Sequence, residues 1–207
     1  RIIDLCIAII FLPFLFIVVI VVSGLIILDD GFPVFYNADR IGKNGKPFKM
    51  YKFRSMIVNA PDFRNVDGST YNGIDDPRVT KVGKLLRKTS VDEIPQFINV
   101  LLGNMSLIGP RPDPLDDMYI YTDEQKKKLK VKPGITGYNQ AYFRNSVIQD
   151  EKFENDVFYA EHISFLLDAR IFFKTIITVF SSSNIYNKAS CIDERYAEDI
   201  EKMRGQK

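Results

Sequence analysis

SVDEIPQFINVLLGNMSLIGPRP, residues 90–112, is the stretch around which the rest of the chain is arranged. It opens on two adjacent carboxylates, Asp92 and Glu93, and closes on Arg111 held between two prolines, with an almost uncharged apolar run between them. Ser90 and Glu93 have the spacing of a capping box, which predicts a helix beginning here with both carboxylates in its first turn. Free backbone N–H groups and the helix dipole at that place favour ionised carboxylates. An ionised Asp is a usable nucleophile, and a pair of hard oxygen donors can hold Mg²⁺. The same residues would equally serve as a plain cap, because capping boxes are frequent.

Upstream, no charged residue occurs from Leu5 to Leu28. As a straight helix this run would measure about 36 Å, enough to cross a hydrocarbon core of roughly 30 Å. It is too long to read as a cleaved signal peptide. Pro13 sits inside it, where a missing N–H and a steric clash are expected to break the helix. A helix broken there could turn back to the face it came from, leaving Arg1 and Asp4 on the same side as Asp29 and Asp30. An unbroken single span is the other reading.

Gly31 to Met56 reads as a hairpin, with strand-like Val34-Phe35-Tyr36, an Asn44-Gly45 turn signal and a β-prone return over Phe48–Phe53. Lys52 and Arg54 are two apart, so in a strand they share a face and could hold a pyrophosphate. The spacing alone fits a solvated face just as well. Residues 57–77 are rich in Asn, Asp and Gly and read as a mobile loop able to cover a site. KVGKLLRK, residues 81–88, reads as a short basic helix that delivers Arg87 just before the carboxylates. Lys126 to Lys128 read as the solvated face of a helix within residues 114–131, with a membrane-facing patch as the alternative. Phe158 to Ser181 has helical period and is expected in the core or flat on a bilayer. The charged tail is expected at the periphery.

Composition narrows the chemistry. His162 is the single histidine, so Ser-His and metal-His constellations are unfavoured and the candidates are Asp, Glu, Lys, Tyr, Ser and Cys. Cys6 and Cys191 are the only cysteines and fit neither a disulfide framework nor a zinc pattern. A net charge of +2 gives no argument for a nucleic-acid partner.

Several separated motifs together carry a family resemblance. DDPRVTKVGKLLRKTSVDEIPQFINVLLGNMSLIGPRP, then KPGITGYNQ, with KPFKMYKFRSM before them and an apolar N-terminal segment containing a proline, resemble the bacterial sugar transferases, the small monotopic phosphoglycosyl transferases. Two positions depart from the family pattern. Leu12 stands where Ser usually precedes the membrane proline, and Asn104 stands where the family usually has Asp, so position 104 is not an essential acid.

The resemblance implies transfer of a phosphosugar from a UDP-sugar to polyprenol phosphate, giving polyprenol-diphosphate-sugar and UMP, with Mg²⁺ as cofactor. It implies Asp92 as the nucleophile that forms a phosphosugar-aspartyl intermediate, and Glu93 as a partner that helps hold the metal. It also implies a re-entrant N-terminal helix in the bacterial inner membrane and a catalytic part on the cytoplasmic face, acting before downstream glycosyltransferases. Attack on a diphosphate needs charge neutralisation more than acid-base chemistry, which suits Arg and Lys. Lys52, Arg54, Arg87 and Arg111 are the expected phosphate-binding cations. Arg144 and Asp156 are candidate contacts to sugar or nucleotide, with a structural ion pair as the stronger role for Asp156.

Two other classes remain. A membrane-anchored binding module needs only the anchor and a basic patch, and leaves the carboxylate pair unexplained. A glycosyltransferase moving sugar without phosphate commonly carries Asp-x-Asp, whereas Asp29-Asp30, Asp75-Asp76 and Asp116-Asp117 are adjacent pairs. The expected architecture is α+β, mostly helical, with a small β-hairpin, a membrane-inserted helix-break-helix over residues 1–30, a catalytic domain over 31–190 containing amphipathic interfacial helices, and a charged tail over 191–207.

Overall fold

The apolar N-terminal run forms one helix, α1 (Ile2–Asp30), in the computed structural model, which describes residues 1–66, 70–73, 75–144, 146–180 and 196–205. Pro13 lies inside α1 and does not interrupt it, so the two-helix division expected there is not formed. A proline removes one backbone bond and crowds the preceding turn. With an unbroken apolar run on both sides, that local loss does not end the helix. Ala8, Leu15, Val22 and Ile26 are buried along α1, at steps of seven and four residues that keep them on one face. The other faces expose Ile10, Phe16, Ile17, Ile20 and Leu28. By length and composition α1 is apolar enough to cross a membrane.

Both ends of α1 are fastened to the same folded unit. At the start, Arg1 Nη1 donates to Val100 O (2.8 Å), and Asp4 accepts from Ser106 Oγ (2.9 Å) and Leu107 N (3.2 Å). Ala8 joins Phe48, Met50, Val100 and Met105 in one core cluster. At the other end, Val22 and Ile26 share a second cluster with Val34, Phe53 and Leu86, and Asp29 Oδ2 accepts from Val82 N (2.8 Å).

The expected hairpin is present. Strands β1 (Phe35–Ile41) and β2 (Pro47–Phe53) pair antiparallel, with Tyr36 opposite Lys52. Asn44 and Gly45 take φ of 58° and 74° in the connection, the left-handed geometry that Asn-Gly tolerates. In the segment after β2, of which residues 67–69 and 74 lie outside the described residues, several groups gather around a buried cation. Arg78 pairs with Asp76 (2.7 Å) and donates to Pro61 O (2.8 Å) and Tyr71 O (2.9 Å), its guanidinium 4.7 Å from the Phe63 ring centre.

Helix α2 (Lys81–Thr89) starts at Thr80, whose Oγ1 accepts from Gly83 N (2.9 Å). Helix α3 (Gln96–Leu102) comes after the carboxylate pair. Strands β3 (Ser106–Ile108) and β4 (Gly134–Thr136) pair in parallel. Their neighbourhood requires glycine: a Cβ on Gly134 would stand 2.1 Å from Gly109 N. Residues 114–131 hold two 3-10 turns in place of the expected helix. Lys128 is 3% exposed, so the lysine run is only partly the solvated face expected of it.

Three helices complete the domain: α4 (Tyr138–Tyr142), α5 (Gln149–Glu161) and α6 (Phe165–Phe180). The continuous helix expected over 158–181 is divided, because Ser164 Oγ caps a new start by accepting from Leu167 N (3.2 Å). Position 181 lies outside the described residues. Ile171 of α6 is buried with Ala141 and Tyr159, while Phe165, Leu166, Phe172, Phe173 and Ile177 are exposed. Within the charged tail, α7 (Ala197–Gly205) places Ile200 against Phe63 and Tyr71 instead of standing clear at the periphery. Residues 191–195 and 206–207 lie outside the described residues. The expectation of a mostly helical α+β fold with a small hairpin and an apolar N-terminal helix therefore holds.

Candidate active site

The carboxylate pair occupies the tight link between α2 and α3. Ser90 ends α2 in the left-handed region (φ 57°, ψ 18°), with its N–H bonded to Arg87 O and Leu86 O. A non-glycine residue there costs of the order of 1–2 kcal/mol. The conformation reverses the chain so that the 3-10 turn Val91–Glu93 runs back beneath β2. Ser90 is thus the residue that closes α2, and its side chain does not cap the 3-10 turn. The capping box does not form, since residue 90 at positive φ cannot present the extended geometry of an N-cap.

Lys52 of β2 meets the pair from above: its Nζ lies 2.7 Å from Asp92 Oδ2 and 3.4 Å from Glu93 Oε1. Arg111 Nη2 lies 3.0 Å from the same Glu93 oxygen and its side chain is about half exposed. Asp92 is nearly buried, at 3% exposure. Burial alone would raise the Glu93 carboxyl, but Arg111 and Lys52 outweigh it and hold the group down at about 2. Glu93 in turn raises the Arg111 guanidinium further, against its partial burial. The result is a centre in which the two carboxyl groups meet Lys52 and Arg111, the latter facing outward.

Asn99 sets the register between the carboxylates and Lys52. This fully buried side chain donates Nδ2 to Lys49 O (2.7 Å) and accepts from Tyr51 N (2.9 Å), joining α3 to the edge of β2. None of the motifs pointed to it. The available signal was an amide in the middle of an apolar run, because a buried amide must find partners.

The loop bearing Arg111 is tied on both sides. Pro110 O accepts from Gly134 N (2.9 Å) and Asp113 O accepts from Ile41 N (3.0 Å). Arg144, at the end of α4 with φ of 52°, extends Nη2 to Ser90 Oγ (3.3 Å). Burial lowers its guanidinium, with the Glu93 charge opposing and the Arg111 charge adding. Arg144 therefore borders the centre. Arg87 donates to Ser55 Oγ (3.0 Å) and Asn72 Oδ1 (3.3 Å), between α2 and the segment before it.

Two expected site residues are drawn elsewhere. Strand β2 ends at Phe53, so the alternation that would put Arg54 beside Lys52 ends one residue too early. Arg54 is buried and donates to Pro33 O (2.5 Å), Asp30 O (3.1 Å) and Gly31 O (2.6 Å), and pairs with the Asp30 carboxylate. It serves as a cationic cap on the carbonyl end of α1. Asp156 forms the structural ion pair expected of it, its Oδ2 2.7 Å from buried Lys128 Nζ. Burial pushes its carboxyl up to about 6, against the pull of Lys128 and with the help of Asp113.

Compared with known proteins, residues 1–182 match the model of a family described as bacterial sugar transferase. The chain belongs to the bacterial sugar transferase family. Among similar proteins, EpsL of Bacillus subtilis, described as an uncharacterized sugar transferase, is 40% identical over 196 residues, covering 95% of this chain and 94% of that protein. The undecaprenyl-phosphate galactose phosphotransferase of Salmonella typhimurium is 39% identical over 168 residues, covering 76% of this chain and 35% of that protein. The UDP-N-acetylgalactosamine-undecaprenyl-phosphate N-acetylgalactosaminephosphotransferase of Aeromonas hydrophila is 36% identical over 188 residues, covering 86% of this chain and 43% of that protein. This sugar transferase thus matches EpsL along nearly its whole length and the two named phosphotransferases over less than half of theirs.

Proposed function

We propose that this sugar transferase moves a phosphosugar from a UDP-sugar to polyprenol phosphate, releasing UMP, through a covalent intermediate on Asp92. The observation that carries the reading is the arrangement of Lys52, Asp92, Glu93 and Arg111 as a compact charged centre on a fold with a long apolar helix anchored beside it. The names of the Salmonella and Aeromonas relatives support undecaprenyl phosphate as acceptor and a sugar phosphate as the transferred group.

In the first half-reaction an Asp92 oxygen attacks the β-phosphorus of the UDP-sugar. The new O–P bond forms as the bond from that phosphorus to the bridging oxygen breaks, and UMP leaves with the bridging oxygen. In the second, a phosphate oxygen of polyprenol phosphate attacks the phosphosugar-aspartate and Asp92 is regenerated. Lys52 holds the Asp92 carboxylate in place, and Arg111 offers a planar fork to the diphosphate oxygens. Arg87 is a further cation for the phosphates, and Arg144 would meet sugar or nucleotide. Asp92 and Glu93 would hold Mg²⁺ together with substrate phosphates, the donor set this ion commonly takes. When bound it would neutralise charge developing on the diphosphate.

Membrane attachment rests on α1 and α6. A spanning helix would carry its ends to opposite faces, whereas Arg1 and Asp4 contact the same folded unit as Asp29 and Asp30. We read α1 as an unbroken helix lying in the cytoplasmic-side leaflet of the inner membrane, both of its ends held to the catalytic body, with the exposed apolar face of α6 resting on the same bilayer.

The test is a burst experiment. Enzyme with Mg²⁺ and UDP-sugar, without lipid, should release up to one equivalent of UMP and carry a phosphosugar at Asp92 by rapid-quench mass spectrometry. Asp92→Asn should abolish burst and turnover. Active enzyme with neither burst nor adduct would refute the covalent route in favour of direct attack by the lipid phosphate. UDP as product would refute phosphosugar transfer.

A further inference from the structure

Behind Arg111 lies a buried ionic cluster that the reaction above does not use. Lys128 Nζ lies 2.5 Å from Asp113 Oδ2 and 2.7 Å from Asp156 Oδ2. Tyr121 OH donates to the same Asp113 oxygen (2.5 Å), and the Lys128 ammonium stands 4.8 Å from the Phe153 ring centre. We propose that Lys128 is a positioning residue for Arg111: through Asp113 it fixes the loop from which the Arg111 guanidinium reaches the substrate diphosphate. The inference rests on the reading of Arg111 as a phosphate-binding residue.

Three observations carry it. First, the cluster is expensive. Two carboxylates and one ammonium are withdrawn from water, where an apolar contact of the same volume is often as stable or more so. Apolar material is already at hand, since Ile41, Tyr121 and Phe153 form a core cluster at this place. A buried ion retained there has a geometric use, and the group it holds is Asp113.

Second, Asp113 is two residues beyond Arg111 with Pro112 between them, so its side chain is coupled to the Arg111 backbone through a residue of fixed φ. The main-chain bonds Pro110 O to Gly134 N and Asp113 O to Ile41 N locate the two ends of the span. They leave rotation about the line joining those ends to be set by the Asp113 side chain. Arg111 and the cluster residues Asp113, Tyr121 and Lys128 line one small cavity together with Pro110 and Pro133.

Third, the cluster reaches a second part of the site. Asp156 belongs to α5, and its neighbour Asn155 donates to Asn139 Oδ1 (3.2 Å) in α4. Asn139 O accepts from Arg144 N (2.8 Å). The helix that holds Lys128 therefore also holds the turn from which Arg144 extends to Ser90. Lys128 links the Arg111 loop to that helix through Asp113 and Asp156.

The test is ligand binding by the full-length protein in nanodiscs, with UDP and uridine as calorimetric probes in the presence of Mg²⁺. Arg111→Ala, Lys128→Met, Tyr121→Phe and the doubles with Arg111→Ala are compared, and thermal unfolding checks that each is folded. Lys128→Met should weaken UDP about tenfold and Tyr121→Phe about threefold, the range for losing one hydrogen bond, with uridine unchanged. In the Arg111→Ala background neither change should matter further, because a positioning residue acts only through the group it positions. If Lys128→Met fails to fold, Tyr121→Phe decides, since it removes one hydroxyl and leaves every charge. Unchanged UDP affinity in folded Lys128→Met and Tyr121→Phe, or full additivity with Arg111→Ala, would overturn the positioning role. No UDP binding by the wild type, or UDP affinity indifferent to Arg111→Ala, would overturn the phosphate reading of Arg111 itself, and the inference with it.

Discussion

Replacing Asn99 with Leu tests whether one buried amide holds the carboxylate segment to the strand that carries Lys52. Leu is close in volume, so the change opens little cavity. It does strip Lys49 O and Tyr51 N of their partners at 2.7 and 2.9 Å, in a position with 0% exposure. A buried backbone group left unpaired costs about 1–3 kcal/mol, so the two together should cost about 4 kcal/mol, taking the middle of the range. For a chain of this size 1 kcal/mol moves Tm by about 2–4 °C, so Tm should fall by about 8–16 °C. Asn99→Asp should be no better, because a carboxylate would face the Lys49 carbonyl. The measurement is thermal unfolding in detergent, monitored by circular dichroism. A second readout is activity at low temperature, where the surviving fold should still be slow because Lys52 and Asp92 are no longer in register. A Tm within about 2 °C of wild type, the smallest shift that 1 kcal/mol would give, would show that water reaches and satisfies both backbone groups, and that other contacts fix β2 against α3.

The same geometry makes three further outcomes testable. Arg111→Lys should lose roughly tenfold to a hundredfold in rate with little change in folding, since an ammonium lacks the two-pronged geometry and bonds to charged groups are worth about 1.5–3 kcal/mol; normal steady-state activity would remove Arg111 from the phosphate site. Glu93 is held at about 2, below its ordinary 4.5, so it contributes stability above pH 4.5 that is lost as pH falls toward 2. That loss amounts to about 3 kcal/mol, and a Glu93→Gln protein whose acid-unfolding curve keeps the wild-type slope would contradict it. A cysteine at position 1, with Cys6 and Cys191 replaced by Ser, should react with impermeant maleimide only from the cytoplasmic side; labelling from the outer side alone would establish a spanning helix.

The parts readable from sequence were those with local causes. Asn44-Gly45 announces a hairpin because few other residue pairs accept left-handed geometry at both positions, and that hairpin delivers Lys52. Asp92, Glu93 and Arg111 stand out by chemistry, and the chain does bring them together. Local rules failed where a distant group decided the outcome. Arg54 looked like a companion of Lys52 because strands alternate, yet the strand stops at Phe53 and the carbonyl end of α1 claims the guanidinium. Lys128 was hidden in a lysine run, where two neighbours are solvated and only the third turns inward to meet Asp113 and Asp156. Ser90 read as a helix opener and instead closes the helix before it, which three-residue spacing cannot distinguish.

The double fastening of α1 has a consequence for how the protein is made. Ala8 fills one core cluster and Val22 and Ile26 another, while Asp29 and Asp30 supply partners to α2 and Arg54. The lipophilic segment is thus an internal component of the catalytic body and cannot be treated as a detachable tether. Trimming it away to obtain a water-soluble enzyme would remove material from two hydrophobic centres at once and uncover Phe48, Met50 and Phe53. During biosynthesis the segment is made before the partners it packs against, which lie as far downstream as Val100 and Leu101 do from Arg1. Completion of the fold therefore needs the apolar helix in place, so the charged centre at Asp92 cannot be assembled from the residues after α1 alone.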